Sequence, residues 1–172
     1  LFPTKIQKNS VVIGNPLSEQ MPAPYFGERR KEIVNFCRLD APKNLKLLLD
    51  AFSLLVEEYS EYQLKIYGDG PLRDEMQKYI EELGLENNAF LLPFHENIHE
   101  IIKDAAMFVT SSDYEGLSNS LMEAMALGMP VIATDCLGGG AAALIVDGKN
   151  GFLVPRGDVQ SLYRAMKRYI DD

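Results

Sequence analysis

From Ile33 to the end of the chain, short apolar runs of strand length alternate with longer stretches of helical period. The runs are Ile33-Val34-Asn35-Phe36-Cys37, Leu64-Lys65-Ile66-Tyr67, Ala89-Phe90-Leu91-Leu92, Met107-Phe108-Val109-Thr110, Val131-Ile132-Ala133-Thr134 and Phe152-Leu153-Val154. Between the first two, Leu45, Leu48, Leu49, Phe52, Leu55, Val56 and Tyr59 form one helical stripe, and Asn44 stands where an N-cap belongs. Pro71 opens a second helix, striped by Leu72, Met76, Tyr79, Ile80 and Leu83 and closed by Gly84. The last helix carries Val159, Leu162, Tyr163, Met166, Tyr169 and Ile170 behind an Asp158 cap. Strands and helices alternating at this spacing predict an α/β fold, a three-layer Rossmann-like domain with a parallel sheet of about six strands.

Residues 1–30 read differently. Pro3, Pro16, Pro22 and Pro24 leave room for one apolar run, Val11-Val12-Ile13, so the segment is expected to be a connector with one edge strand. Residues 31–172 are then the domain proper.

Open parallel sheets bind ligands beyond the carboxyl ends of their strands. Here those ends carry Arg38-Leu39-Asp40, Gly68-Asp69-Gly70, Pro93-Phe94-His95, Ser111 to Gly116 and Asp135 to Gly140. The residues with chemistry to offer gather at that edge.

Charge narrows the ligand. With 17 Lys+Arg against 25 Asp+Glu the chain carries a net −8, which disfavours non-specific nucleic-acid binding. No apolar run is long enough to span a membrane, and no signal peptide is visible. The chain starts at Leu1 rather than Met, and is expected to be part of a longer protein. Cys37 and Cys136 have neither metal nor redox spacing, so they are expected to be free thiols in a reducing cytosol.

His95-Glu96-Asn97-Ile98-His99 matches the zinc-protease pattern H-E-x-x-H, with Glu123 available downstream. That pattern needs both histidines on one face of a continuous helix. His95 follows a strand and Asn97 looks like a cap, so His95 is expected ahead of the helix and no metal site is expected. Gly68-Asp69-Gly70-Pro71 begins like a dinucleotide fingerprint but lacks the third glycine, and a tight strand-to-helix turn is the favoured reading.

Glu115 and Glu123 stand eight residues apart, the first in a loop after a strand and the second one turn into the next helix. Ser120-x-x-Glu123 also has capping-box spacing, and spacing leaves a cap and a ligand role open for Glu123. The start of that helix, at a strand's carboxyl end, is a ready anion site. Arg38 and Lys43 at the same edge can together neutralise a pyrophosphate.

These residues resemble the carboxyl-terminal, donor-binding domain of the retaining glycosyltransferases of family 4, within glycosyltransferase group 1. The likeness rests on Arg38 with Lys43, Gly68-Asp69-Gly70-Pro71-Leu72, Glu115 through Glu123-Ala124-Met125-Ala126, Gly128-Met129-Pro130-Val131-Ile132-Ala133-Thr134-Asp135, Asp147-Gly148, Asn150-Gly151-Phe152-Leu153-Val154-Pro155 and Asp158. It implies one half of a GT-B enzyme that moves a hexose with retention from a nucleotide sugar, a UDP-sugar by preference. The acceptor would be a saccharide or lipid-linked molecule, as in bacterial surface polysaccharide synthesis. By that likeness Arg38 and Lys43 hold the diphosphate, Glu115 holds the donor sugar, and Glu123 accepts from the ribose. Leu117, Ser118, Asn119 and Ser120 line sugar and phosphate, and Gly68 and Pro93 border the nucleotide. Glu115, Arg38 and Lys43 are the catalytic candidates. No cofactor or metal is implied, since cationic side chains and a helix dipole serve the leaving group.

The resemblance further implies a cytoplasmic enzyme, peripheral to the inner face of the plasma membrane, with residues 11–17 as interdomain linker. Two departures stand out. The amino-terminal acceptor domain is absent from this chain, which is therefore expected to bind donor without transferring sugar. Relatives carry Gly-Gly, Pro and a Glu where this chain has Gly138-Gly139-Gly140-Ala141-Ala142-Ala143. The rival readings are a sugar-nucleotide epimerase of the same fold and a non-enzymatic α/β nucleotide-binding module.

Overall fold

The computed structural model describes residues 3–11 and 14–172. Six strands form one sheet, β1 (Arg30–Phe36), β2 (Gln63–Tyr67), β3 (Ala89–Leu92), β4 (Ala105–Thr110), β5 (Val131–Asp135) and β6 (Phe152–Pro155). Their order is β3-β2-β1-β4-β5-β6, and every pairing is parallel. The helices are α1 (Thr4–Lys8), α2 (Leu45–Glu58), α3 (Arg73–Glu82), α4 (Ile98–Ile102), α5 (Asn119–Ala126), α6 (Gly140–Leu144) and α7 (Val159–Asp171).

Both faces of the sheet are covered, which is why the inner stretches of its strands read as apolar runs. On one face Leu48, Phe52, Ile80 and Met166, from α2, α3 and α7, bury Ile33, Leu64, Ile66 and Ile132. On the other, Ile102, Leu121, Ala124 and Ala141, from α4, α5 and α6, bury Val34, Phe108, Val131 and Ala133. The expected three-layer parallel architecture is the one observed.

The chain order reverses between β1 and β4, so the exits of these two strands splay apart and open a crevice at the carboxyl edge. Two loops are tied across it. The Ser111 hydroxyl, after β4, donates to the carbonyls of Lys43 and Asn44, both at 3.0 Å. Asn44 caps α2, its side chain accepting from the Leu47 amide at 3.4 Å, with its own φ at +42°. Among the described residues no other non-glycine adopts a positive φ. Asn44→Ala is expected to lose both the cap and the tolerance of the left-handed region, costing roughly 2 kcal/mol. Asn44→Gly, which keeps the backbone freedom, should cost only a few tenths. Urea unfolding of the two variants separates them.

Ahead of the sheet the sequence is more ordered than its prolines suggest. The expected edge strand at Val11-Val12-Ile13 rests on Val12 and Ile13, which lie outside the described residues. Residues 4–8 form the short helix α1. Arg29, unremarkable in the sequence, donates to four backbone carbonyls: Lys103 at 3.1 Å, Ala105 at 2.9 Å, Tyr25 at 3.0 Å and Gly128 at 2.7 Å. It thereby fastens residue 25 to the turn after α5 and to the entry of β4. At the other end of α5, the Asn15 amide donates to the Asn119 side-chain oxygen at 2.8 Å.

Candidate functional site

The carboxyl edge is built from loops that approach each other closely. Gly68 has φ +143°, and a Cβ there would lie 1.9 Å from the Cys37 carbonyl oxygen. Only glycine lets the exits of β1 and β2 pack this tightly. The Leu39 amide donates to the Asp69 carbonyl and the Leu72 amide to the Leu39 carbonyl. Arg73 completes the turn by donating to the carbonyls of Gly68 and Leu91. The Gly68-Asp69-Gly70-Pro71 segment is thus a tight strand-to-helix turn. Helix α3 starts at Arg73, two residues beyond Pro71, which belongs to the turn.

Beside this turn lies a hollow of about 340 Å³, lined by Phe36, Cys37, Arg38, Tyr67, Gly68, Asp69, Phe94, His95 and Ile98. Its walls are mainly apolar and aromatic, with charge at the rim. Burial pushes the Cys37 thiol up to about 12, so it is a wall group and not a nucleophile. Pro93 is exposed and precedes the two residues, Phe94 and His95, that line the hollow.

On the other side of the crevice, the Lys43 ammonium and the Glu115 carboxylate form a half-buried ion pair that joins residues 72 positions apart. The structure brings these two candidates together. Arg38 stands apart from them. Its side chain is 73% exposed and its nearest charge is Asp40 at 3.7 Å. An exposed guanidinium at the rim is available to a ligand without first breaking a buried pair.

Between Lys43 and α5 the backbone carries the donors. The amides of Gly116, Leu117, Ser118, Asn119 and Ser120 find no acceptor among the described residues, whereas the Glu115 amide donates to Leu137 and the Met122 amide to Ser118. Consecutive unpaired N–H groups at a helix start, with the helix dipole behind them, form an anion-binding concavity. This loop is held from behind by the segment before α6. A Cβ on Gly140 would lie 1.7 Å from the Gly116 carbonyl oxygen, and one on Gly138 2.2 Å from that of Glu115. The glycine-rich tract is therefore the backing plate of the Glu115 loop.

Ser118, not Ser120, caps α5, its hydroxyl accepting from the Leu121 amide at 3.4 Å. Glu123 is therefore two residues too late for a capping box, and that reading of the residue fails. Its carboxylate instead meets the His99 ring, Nε2 to Oε2 at 3.1 Å. Sequence reasoning had no means of pairing these two outside the zinc motif. His95 lies ahead of α4, where its Nδ1 accepts from the Asn97 amide at 3.1 Å. The two histidines share no helical face, so the zinc-protease geometry is not formed.

The Glycosyl transferases group 1 family model matches residues 18–172. The chain is 34% identical over 145 residues to the poly(glycerol-phosphate) alpha-glucosyltransferase of Bacillus subtilis, covering 84% of this chain and 21% of that protein. It is 34% identical over 142 residues to a Campylobacter jejuni diphospho-undecaprenol 4-alpha-N-acetylgalactosaminyltransferase, covering 83% of this chain and 38% of the relative. Among solved structures, an S. aureus TarM mutant in complex with fondaparinux, alpha-GlcNAc-glycerol and UDP superposes with a TM-score of 0.86 at 26% identity, over 98% of this chain and 35% of that one. The chain thus spans well under half the length of these relatives.

Proposed function

This chain belongs to the group 1 glycosyl transferases, and on that premise we propose that it is the donor-binding half of a retaining hexosyltransferase of family 4, taking a UDP-sugar. One observation carries the reading: the unpaired amides from Gly116 to Ser120 lie between the Lys43–Glu115 pair and Glu123 along one loop and helix start. An anion site flanked by carboxylates suits a ligand with both a diphosphate and sugar hydroxyls. The relatives' names and the UDP held by TarM support the same class.

In this reading the bond from the anomeric carbon to the diphosphate oxygen breaks, its electron pair leaving with the diphosphate, and a bond forms from that carbon to an acceptor hydroxyl oxygen on the same face, whose proton passes to the diphosphate. Lys43, Arg38 and the α5 amides stabilise that charge as it develops, which is where preorganised donors act most strongly. Glu115 accepts from the donor sugar's hydroxyls and fixes which face of the anomeric carbon is open. Glu123 accepts from the ribose, and the hollow beside Tyr67 and Phe94 takes the base near Gly68 and Pro93. The acceptor, a saccharide or lipid-linked molecule, would be brought by a second domain. Among the described residues no helix is long and apolar enough to cross a membrane. Peripheral attachment at the cytoplasmic face is the arrangement proposed for the whole enzyme.

Titration of the chain with UDP, GDP and ADP tests this directly. UDP is expected to bind to this chain in the micromolar to millimolar range, more weakly than to a two-domain cleft. Perturbed resonances should centre on residues 116–120, and no sugar transfer is expected from this chain alone. If millimolar nucleotide leaves the spectrum unchanged, the reading is wrong.

A further inference from the structure

We propose that His99 is a positioning residue for donor binding: it holds one oxygen of the Glu123 carboxylate so that the other is presented to the ribose. The proposal rests on the nucleotide-sugar reading of the site. It starts from the contact between His99 Nε2 and Glu123 Oε2 at 3.1 Å. An ionised carboxylate only accepts, so Nε2 carries the proton and the imidazole donates. Glu123 Oε1 has no partner among the described residues, which leaves an acceptor free on the same group.

The donor is itself held. His99 sits on α4, whose neighbours Ile98 and Ile102 are buried in the core. Its ring meets Phe36 edge to face, with centroids 6.2 Å apart and planes at 87°. Phe36 in turn packs on the buried Phe108 at 5.2 Å, and also lines the hollow proposed for the base. Phe36 thus touches the His99 ring and also borders that hollow. A glutamate's terminal torsion is broad when unrestrained. Fixing it before the ligand arrives removes an ordering cost from binding.

A mere tie between α4 and α5 would make a different demand, because its loss would lower stability and leave ribose recognition alone. The test compares binding of UDP with 2′-deoxy-UDP and 3′-deoxy-UDP by calorimetry, in wild type, His99→Phe, His99→Gln and Glu123→Gln. Wild type is expected to prefer UDP over the affected analogue about tenfold, the worth of one hydrogen bond to a charged group. His99→Phe should shrink that preference to about twofold, and His99→Gln, whose amide can still donate, should restore most of it. Should His99→Phe not fold, His99→Leu makes the same comparison. If His99→Phe keeps the full preference while Glu123→Gln loses it, His99 is only a tie between helices and the proposal falls. If Glu123→Gln also keeps the preference, the ribose role of Glu123 fails, and that of His99 with it.

Discussion

Replacing Gly140 with alanine is expected to abolish measurable nucleotide binding while leaving the sheet folded. The added Cβ would sit 1.7 Å from the Gly116 oxygen, 2.3 Å from its carbonyl carbon and 2.8 Å from the Leu117 nitrogen. All three are backbone atoms, so no side chain can swing aside and the Glu115–Leu117 loop must part from the Gly138–Gly140 segment that backs it. Overpacking of this kind costs about 1–3 kcal/mol. The greater effect is geometric, because the displaced loop carries both Glu115 and the unpaired amides. Gly139 provides the control. It has φ +71° but open space around its Cβ, so Gly139→Ala strains only its own backbone, by about 1–2 kcal/mol. Both variants should melt several degrees below wild type, and only Gly140→Ala should lose UDP. Equal UDP affinity in the two variants would show that the backing of the loop is irrelevant to the site.

Lys43→Met is expected to weaken UDP binding by roughly one to two decades, the worth of a charge-assisted phosphate contact at about 1.5–3 kcal/mol. The change also strips Glu115 of its partner and leaves an uncompensated carboxylate at the crevice, unfavourable to an anionic ligand. Lys43→Met with Glu115→Gln should therefore recover several-fold over the single variant, a coupling that additive contributions would not give. Arg38→Ala removes a more exposed charge, screened by solvent and salt, and should cost less. Calorimetry at one fixed ionic strength ranks the three. Binding of UDP by Lys43→Met within twofold of wild type would remove Lys43 from the site.

Every strand was legible as an apolar run, but β1 and β4 begin two or more residues earlier than their runs, and β2 one residue earlier. Strand β1 starts at Arg30, where the charged triplet Arg30-Lys31-Glu32 looks like loop. In place, Arg30 pairs with Glu32 and Asp104 at the sheet's entry, so the charges hold partners there while remaining open to solvent. Strand β4 starts at Ala105, and a pair of alanines carries no strand signal. The long helices were visible from their stripes, with the caps at Asn44 and Asp158 in place. Helix α6 was not, since Gly138 to Ala143 reads as low complexity. At the site, the candidates could be placed at the sheet's carboxyl edge from topology. Their partnerships could not, because Lys43 with Glu115 and His99 with Glu123 are contacts between separate elements. The close approaches at Gly68 and Gly140 were equally hidden, for a glycine's reason lies in the neighbour it admits.

The Arg29 clamp has a mechanical side. Residues 15–25 join the two ends of α5, tied at one end by Asn15 to Asn119 and at the other by the Tyr25 amide to the Leu127 carbonyl at 3.0 Å. From residue 119 to 127 the helical path is only about 12 Å, whereas ten residues of extended chain reach about 33 Å. The strap is therefore slack, with contour length to spare between two anchors. Tension applied ahead of Asn15 would straighten that slack or break a single amide contact before it loaded the four-carbonyl clamp. Under such a load the Asn15–Asn119 contact is expected to give first, before any pull reaches the sheet.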